Sequence, residues 1–315
     1  MRELLRSTKA YKTIGADAKS GAAAHAMLVL FPDEKYLRPL LRECARAFFG
    51  AQTEGREGEL ISSETFADCL FLPAAGGKLT AADGVRLVDE SLLRPVEGNK
   101  KLFVLDAFHN ASALVQNKLL KLLEEPPRGV YFLLGAVSDF SVLPTVLSRV
   151  KRLEEPPFAE EAIAAALKRN RPAERGHAEC AAACGGVYSA AEELLNAHGE
   201  SFRLAERFLL TPNKEGFCRE LGDGKEKEKR AFFSAVRLVL RDALFTASGQ
   251  GKFASRKGEE VCAIAREYPA GALASALDLV TEAEKQIKFN ANFGQCAEAL
   301  AIGIAKEKEK WQRLS

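Results

Sequence analysis

Nowhere in the 315-residue chain does an apolar run reach the roughly 18 residues that a membrane-spanning helix needs, so no membrane protein is expected. The opening stretch, MRELLRSTKAYKTIGADAKS, has no continuous apolar segment ahead of a small-residue cleavage site; no secretory leader is read there, and a cytoplasmic protein is expected. Charge of one sign is lacking too. The formal net charge is +2, too small to argue by itself for a nucleic-acid binder. The seven cysteines (Cys44, Cys69, Cys180, Cys184, Cys218, Cys262 and Cys296) form no framework, being odd in number and scattered. Only Cys180 and Cys184 are close, on one helical face among alanines, and no second pair completes a zinc site; all seven read as buried thiols in a reducing compartment. No internal repeat stands out. What remains is an ordinary globular composition, 47% hydrophobic and 28% charged, in a chain long enough for two or three domains.

Short apolar runs alternate with helical patterns through the first half, as in an α/β layer fold. AMLVLF (26–31), DCLFLP (68–73), KLFVLDAF (101–108) and VYFLLGAV (130–137) are expected strands. They are apolar on both faces, which implies a parallel sheet covered by helices on both sides. Helices are expected over 36–50, ending at glycine with Pro39 in its first turn, over 84–95, stopped by proline, and over 112–127, stopped by two prolines. A short TVLSRV segment follows Pro144, and after RLEEPPF (152–158) the strand signal disappears. Residues 159–200 read as short helices around the turn CGGV. From 201 onward every long segment is helical, interrupted by GDGKEKEKR and SGQGKFASRKG, two charged glycine-containing runs expected as solvated loops or helix starts. The expected plan is an α/β domain over 1–157, a small helical domain over 158–200 and a helical domain over 201–315.

The stretch KLFVLDAFHNASALVQNKLLKLLEEPPRGVYFLLGAVSDFSVLPTVLSRV (101–150) carries more specific information. Its succession of strand, helix, Leu119-Leu120-Lys121, Leu123-Glu124-Glu125-Pro126-Pro127, strand, Leu143-Pro144-Thr145 and Leu147-Ser148-Arg149 resembles the gamma/tau and delta-prime family of bacterial DNA polymerase III clamp-loader subunits. The resemblance extends to 25–50, which has the spacing of the family's first strand, phosphate loop and helix. It extends also to 283–304, which is similar to the Asn-x-Asn helix of the family's collar through Asn290 and Asn292. It implies an AAA+-type parallel sheet with flanking helices, followed by a small helical lid and an all-α collar used for oligomerisation.

Against the family's pattern the chemistry of ATP hydrolysis is missing. A phosphate loop needs glycines that let backbone N–H groups approach the phosphates, a lysine, and a Ser/Thr for Mg²⁺. At that place the chain reads Phe31-Pro32-Asp33-Glu34-Lys35-Tyr36-Leu37-Arg38. Only the proline of the family's Gly-Pro start survives. Phe31, Glu34 and Tyr36 replace glycines, Leu37 the lysine and Arg38 the Ser/Thr; Asp33 and Glu34 would repel triphosphate, and Lys35 offers a displaced positive charge without a glycine nest. Asp106 occupies the position that supports Mg²⁺, but Ala107 follows where a glutamate would orient the attacking water. With no metal expected, Asp106 reads as a strand-end carboxylate capping its loop. The family's lid arginine, in Gly-x-x-Arg, is absent because Gly186 is followed by Val187, Tyr188 and Ser189.

One catalytic part survives. Ser148-Arg149 stands where the family has Ser-Arg-Cys, with Val150 in place of the cysteine. The resemblance implies that Arg149 faces ATP bound to the adjacent subunit, a contribution of about 1,000- to 100,000-fold in rate for such a finger. Without the resemblance, Arg149 reads as a surface arginine in a local ion pair. Residues 51–68 lack the zinc-binding cysteines of several relatives, so no metal is expected; Asp68, His25 and His109 read as structural. The implied function is a subunit without cofactor or ATPase activity of its own, a stator in the clamp loader of DNA polymerase III. Its implied partners are gamma/tau-type and delta-type subunits, met through the collar and the Arg149 face, together with the sliding clamp and primer-template DNA. The alternatives are an AAA+ ATPase with a divergent loop, a delta-type clamp opener, and a stand-alone DNA-binding protein.

Overall fold

The computed structural model describes the chain except residues 198, 212–213, 215–216, 219–220, 222–225, 289–290 and 315, with the backbone alone for 226–230 and 288. It comprises two compact units, Met1–Pro157 and Phe158–Ser315.

The first unit opens with two helices that the sequence pattern does not announce, α1 (Arg2–Arg6) and α2 (Lys9–Ser20). Then come β1 (Ala26–Leu30), α3 (Glu34–Phe49), α4 (Arg56–Ser62), β2 (Cys69–Leu72), α5 (Ala81–Ser91), β3 (Lys101–Leu105), α6 (Ala113–Glu124), β4 (Val130–Ala136), α7 (Pro144–Leu147) and β5 (Lys151–Glu154). The five strands form one parallel sheet in the order β2-β3-β4-β1-β5, with Leu28 opposite both Leu134 and Arg152. This is the parallel sheet with flanking helices that was expected, with a fifth strand added. β1 and β3 are buried along their whole length, so their apolar runs show no alternation. β5 exposes Lys151, Arg152 and Glu154 and buries Leu153 alone, which is why a strand there leaves no mark in the pattern.

Local chemistry sets the helix ends. Asp33 caps α3 by accepting from the Tyr36 N–H, and Gly50 closes the helix with φ +70°. Thr80 and Asp83 form a reciprocal capping box at the start of α5. Ser112 caps α6, whose last residue precedes Glu125-Pro126-Pro127. Leu119 and Leu123 of α6 are fully buried with Phe103, Phe108 and Phe132, each leucine contributing about 2–3 kcal/mol of apolar burial. Leu37 and Leu41 of α3 press on β4 at Gly135, where a Cβ would meet Leu41 Cδ1 at 2.6 Å. Glu155, just after β5, is buried and accepts the Lys9 N–H (3.0 Å) and the Ala10 N–H, fixing the first turn of α2.

Among its described residues the second unit is helical: α8 (Glu160–Asn170), α9 (His177–Ala183), α10 (Tyr188–Asn196), α11 (Glu200–Leu210), α12 (Glu226–Ala247), α13 (Glu259–Glu267), α14 (Ala270–Lys288) and α15 (Phe293–Gln312). Arg256 ties its parts together. The guanidinium lies 4.6 Å from the Phe202 ring centre and bonds to Glu206 of α11 (2.8 Å) and Glu179 of α9 (2.5 Å). Arg237 of α12 donates to the carbonyl of Ala183 in α9 at 2.7 Å. Side chains therefore join residues 158–200 to the helices beyond residue 200. The SGQGKFASRKG run, expected as a solvated loop or a helix start, ends in Gly258, the N-cap of α13, but also buries Ala254 and commits Arg256 to this cluster. Of GDGKEKEKR, residues 226–230 begin α12 and 222–225 lie outside the described residues. Asn292 caps α15 by accepting from the Gln295 N–H, while Asn290 lies outside the described residues. Cys180 and Cys184 are both buried, and burial pushes the Cys180 thiol up to about 12. None of the described helices is long and apolar enough to cross a membrane.

Candidate functional site

In open α/β sheets ligands bind beyond the carboxyl ends of the strands. Here β1 and β3 flank β4, so the segments after Leu30 and Leu105 face a common region.

After β1 the chain has only Phe31, Pro32 and Asp33 before α3 begins at Glu34. Residues 34–38, which the resemblance aligns with the second half of a phosphate loop, are thus already helix. Pro32 is exposed, while the residues on either side of it look inward. Phe31 is buried and its N–H donates to the Ala136 carbonyl (2.9 Å), while Asp33 is buried under the first turn of α3. Leu37 is buried against β4. Lys35 is exposed, its Nζ 5.2 Å from the centre of the Tyr36 ring, and Glu34 is exposed with Oε1 3.9 Å from His109 Nε2.

Arg38 turns the other way. Its Nη1 donates to Asp106 Oδ2 (3.1 Å), Nε and Nη2 bind both oxygens of Glu64 (2.7 and 2.5 Å), and Nη2 also meets the Pro73 carbonyl (3.0 Å). Arg42, one turn on, adds a bond to Glu64 at 2.8 Å. Burial alone would lower the Arg38 pKa, but bonds to Glu64 and Asp106 outweigh it and hold the pKa above its ordinary value. Burial alone would likewise raise the Glu64 pKa, yet Arg38 and Arg42 hold that carboxyl below the usual range. Two non-glycine residues at this cluster have left-handed backbone: Glu64 at φ +60° and Ala107 at φ +48°. The turn at Ala107 lets its N–H donate to Asp106 Oδ1 at 2.8 Å.

These residues do not fit a magnesium triphosphate. The connection after β1 is too short to wrap phosphates and contains no glycine, and the cation beside Asp106 is the chain's own guanidinium. Among the described residues no group of His, Cys, Asp or Glu is arranged to hold a metal ion.

The neighbouring polar residues have structural partners. His109 Nδ1 accepts the Val137 N–H (3.4 Å), and burial, outweighing Glu34 and Asp106, lowers its pKa. His25 Nε2 bonds the Leu123 carbonyl (2.9 Å). Asp68 is buried and accepts the N–H groups of Val96 and Glu97 at 2.6 and 2.8 Å. In the second unit Ser189 stands in the first turn of α10, where the resemblance would place a lid arginine.

Ser148 and Arg149 form a separate cluster at the end of α7. Ser148 Oγ donates to the Thr145 carbonyl, Arg149 Nη1 to the same carbonyl (2.8 Å) and to Ser148 Oγ (3.2 Å), and Nη2 reaches Glu124 Oε1 at 3.3 Å. The guanidinium is thus in a local ion pair at the surface. Glu64 and Arg42 were not singled out by sequence reasoning; the one available signal was the i,i+4 spacing of Arg38 and Arg42 on α3.

Residues 6–159 match the family model described as DNA polymerase III, delta subunit. The tau/gamma subunit of DNA polymerase III from Haemophilus influenzae is 35% identical over 119 residues, covering 36% of this chain and 17% of the relative. The tau subunit from Bacillus subtilis is 22% identical over 263 residues, covering 73% and 46%. The chain thus spans less than half the length of these curated relatives. A solved gamma-subunit-related protein from Thermotoga maritima aligns over 94% of this chain and 99% of its own, with 18% identity and a TM-score of 0.43.

Proposed function

We propose that this chain is a DNA polymerase III clamp-loader subunit of the gamma/tau/delta-prime family and acts as a delta-prime-type subunit, a reading supported by the family-model match over residues 6–159 and by the similarity to tau subunits. In this reading it takes no ATP at its own site and lends Arg149 in trans to the ATP site of a neighbouring gamma/tau-type subunit while the sliding clamp is loaded in DNA replication. The observation that carries the first half is Arg38, whose side chain fills the corner beside Asp106 and bonds it directly. The second half is supported by the survival of Ser148-Arg149 in a chain that has otherwise lost its hydrolytic residues.

Residues 158–200 are assigned as the lid and 201–315 as the collar that meets gamma/tau-type and delta-type subunits. Primer-template DNA is met inside the assembled complex, in the cytoplasm. Val85, Val88, Leu92, Leu93 and Val96, on and after α5, are exposed apolar side chains, and the sliding clamp is assigned as a further partner of the assembled complex.

The test is reconstitution with cognate gamma-type and delta-type subunits. Arg149→Ala is expected to slow hydrolysis at the adjoining site by about 1,000-fold or more, so that DNA-stimulated ATPase loses that site's share. Unchanged DNA-stimulated ATPase would overturn the trans role. A delta-type clamp opener is the second reading, favoured by the description of the matching family model. It requires tight binding of the sliding clamp by the isolated chain, which a pull-down decides.

A further inference from the structure

Arg149 is held by two kinds of partner. Thr145 and Ser148 belong to its own turn and move with it, whereas Glu124 comes from another element, the last residue of α6 before Glu125-Pro126-Pro127. Nε is buried and has no hydrogen-bond partner among the described residues, so the two terminal nitrogens carry the guanidinium's bonds.

A guanidinium recognises a phosphoryl group with parallel N–H donors, the same geometry with which it recognises a carboxylate. Nη2 is engaged by Glu124, so a phosphate presented by a neighbour competes with that carboxylate for one nitrogen. The pair is exposed, with 31% of the Arg149 and 58% of the Glu124 side chain accessible. Exposed pairs are weak, and this one is therefore exchangeable against a more highly charged anion. We propose that Glu124 is a positioning residue that parks Arg149 against α6 until the triphosphate of the adjoining subunit displaces it. This rests on the reading of Arg149 as a trans finger.

Glu124→Gln keeps the side-chain length and an accepting oxygen but removes the charge. Four complexes of the full chain with cognate gamma-type and delta-type subunits decide the matter: wild type, Glu124→Gln, Arg149→Ala and the double variant, each assayed for ATPase with and without primer-template DNA. With the parking charge gone, the DNA-free rate is expected to rise about 2- to 5-fold, the span set by an exposed ion pair. The DNA-stimulated rate should stay at the wild-type level, because the finger is already engaged there. In the double variant the rise should vanish. If Arg149→Ala loses activity while Glu124→Gln leaves the DNA-free rate unchanged or lowers it, parking is overturned and the finger stands. A rise that persists in the double variant also overturns parking, since Glu124 then acts through something other than Arg149. If Arg149→Ala has no effect at all, the finger and its parking fall together.

Discussion

Removing the Arg38 guanidinium strands two carboxylates. Arg38→Ala leaves Glu64 with Arg42 alone and Asp106 with the N–H of Ala107 as its remaining partner. Breaking a buried ion pair from one side costs about 3–5 kcal/mol. The side chains here are 11%, 16% and 15% exposed for Arg38, Glu64 and Asp106, so some water reaches the charges and about 3 kcal/mol is expected. For a unit of this size that lowers the melting temperature by about 6–12 °C. Thermal unfolding of the full chain followed by circular dichroism measures it, with Arg38→Met as a control that keeps the apolar stem and drops the charge. The loss should also depend on pH. The folded-state pKa of Glu64 lies below its unfolded value, so the stability it supplies is complete above the unfolded pKa of about 4.3 and disappears as pH falls through the lower folded value. The gap between wild type and Arg38→Ala should therefore narrow in that acid window. Melting temperatures within about 1 °C of each other at pH 7 would refute the reasoning, because a guanidinium that merely decorates the surface costs that little.

Ala107→Gly should stabilise the chain by about 0.5–1 kcal/mol in urea unfolding, since glycine accepts the left-handed backbone that alanine holds there under strain. Ala107→Glu, which restores the acidic residue after Asp106, should give no ATPase in a phosphate-release assay, because the phosphate loop is still absent. Gly135→Ala should destabilise by about 1–3 kcal/mol, as its Cβ would meet Leu41 Cδ1 at 2.6 Å and Leu37 Cδ1 at 3.2 Å across a tight helix–sheet contact. For His109 the folded pKa lies below the unfolded one, so its contribution to stability is present above about pH 6.5 and is lost as pH falls through the folded value. Melting curves between pH 5 and 7 should flatten in His109→Gln.

β1 to β4 were legible because burial on both faces writes an unbroken apolar word, and α3, α5 and α6 because Gly50, Pro95 and Pro126-Pro127 punctuate the pattern, whereas the short α4 (Arg56–Ser62) carries no such mark. β5 was not, since its one buried residue, Leu153, stands among charges and its pairing to β1 comes from the far side of the sheet. The early start of α3 is latent in Asp33, a good N-cap, at a place where the family's spacing has a loop instead. The substituted loop and Ser148-Arg149 could be found by motif. What filled the site could not: Arg38 meets Glu64 across 26 residues and Asp106 across 68, and no local rule relates them. The same is true of Arg256, whose bonds to Glu179 and Glu206 span 77 and 50 residues.

Isothermal titration of the purified chain with Mg-ATP asks whether the corner that Arg38 fills is closed to nucleotide. No saturable heat up to about 1 mM nucleotide is predicted. A saturable isotherm in the micromolar range, weakened by substitutions at Asp106 or in residues 31–38, would contradict it.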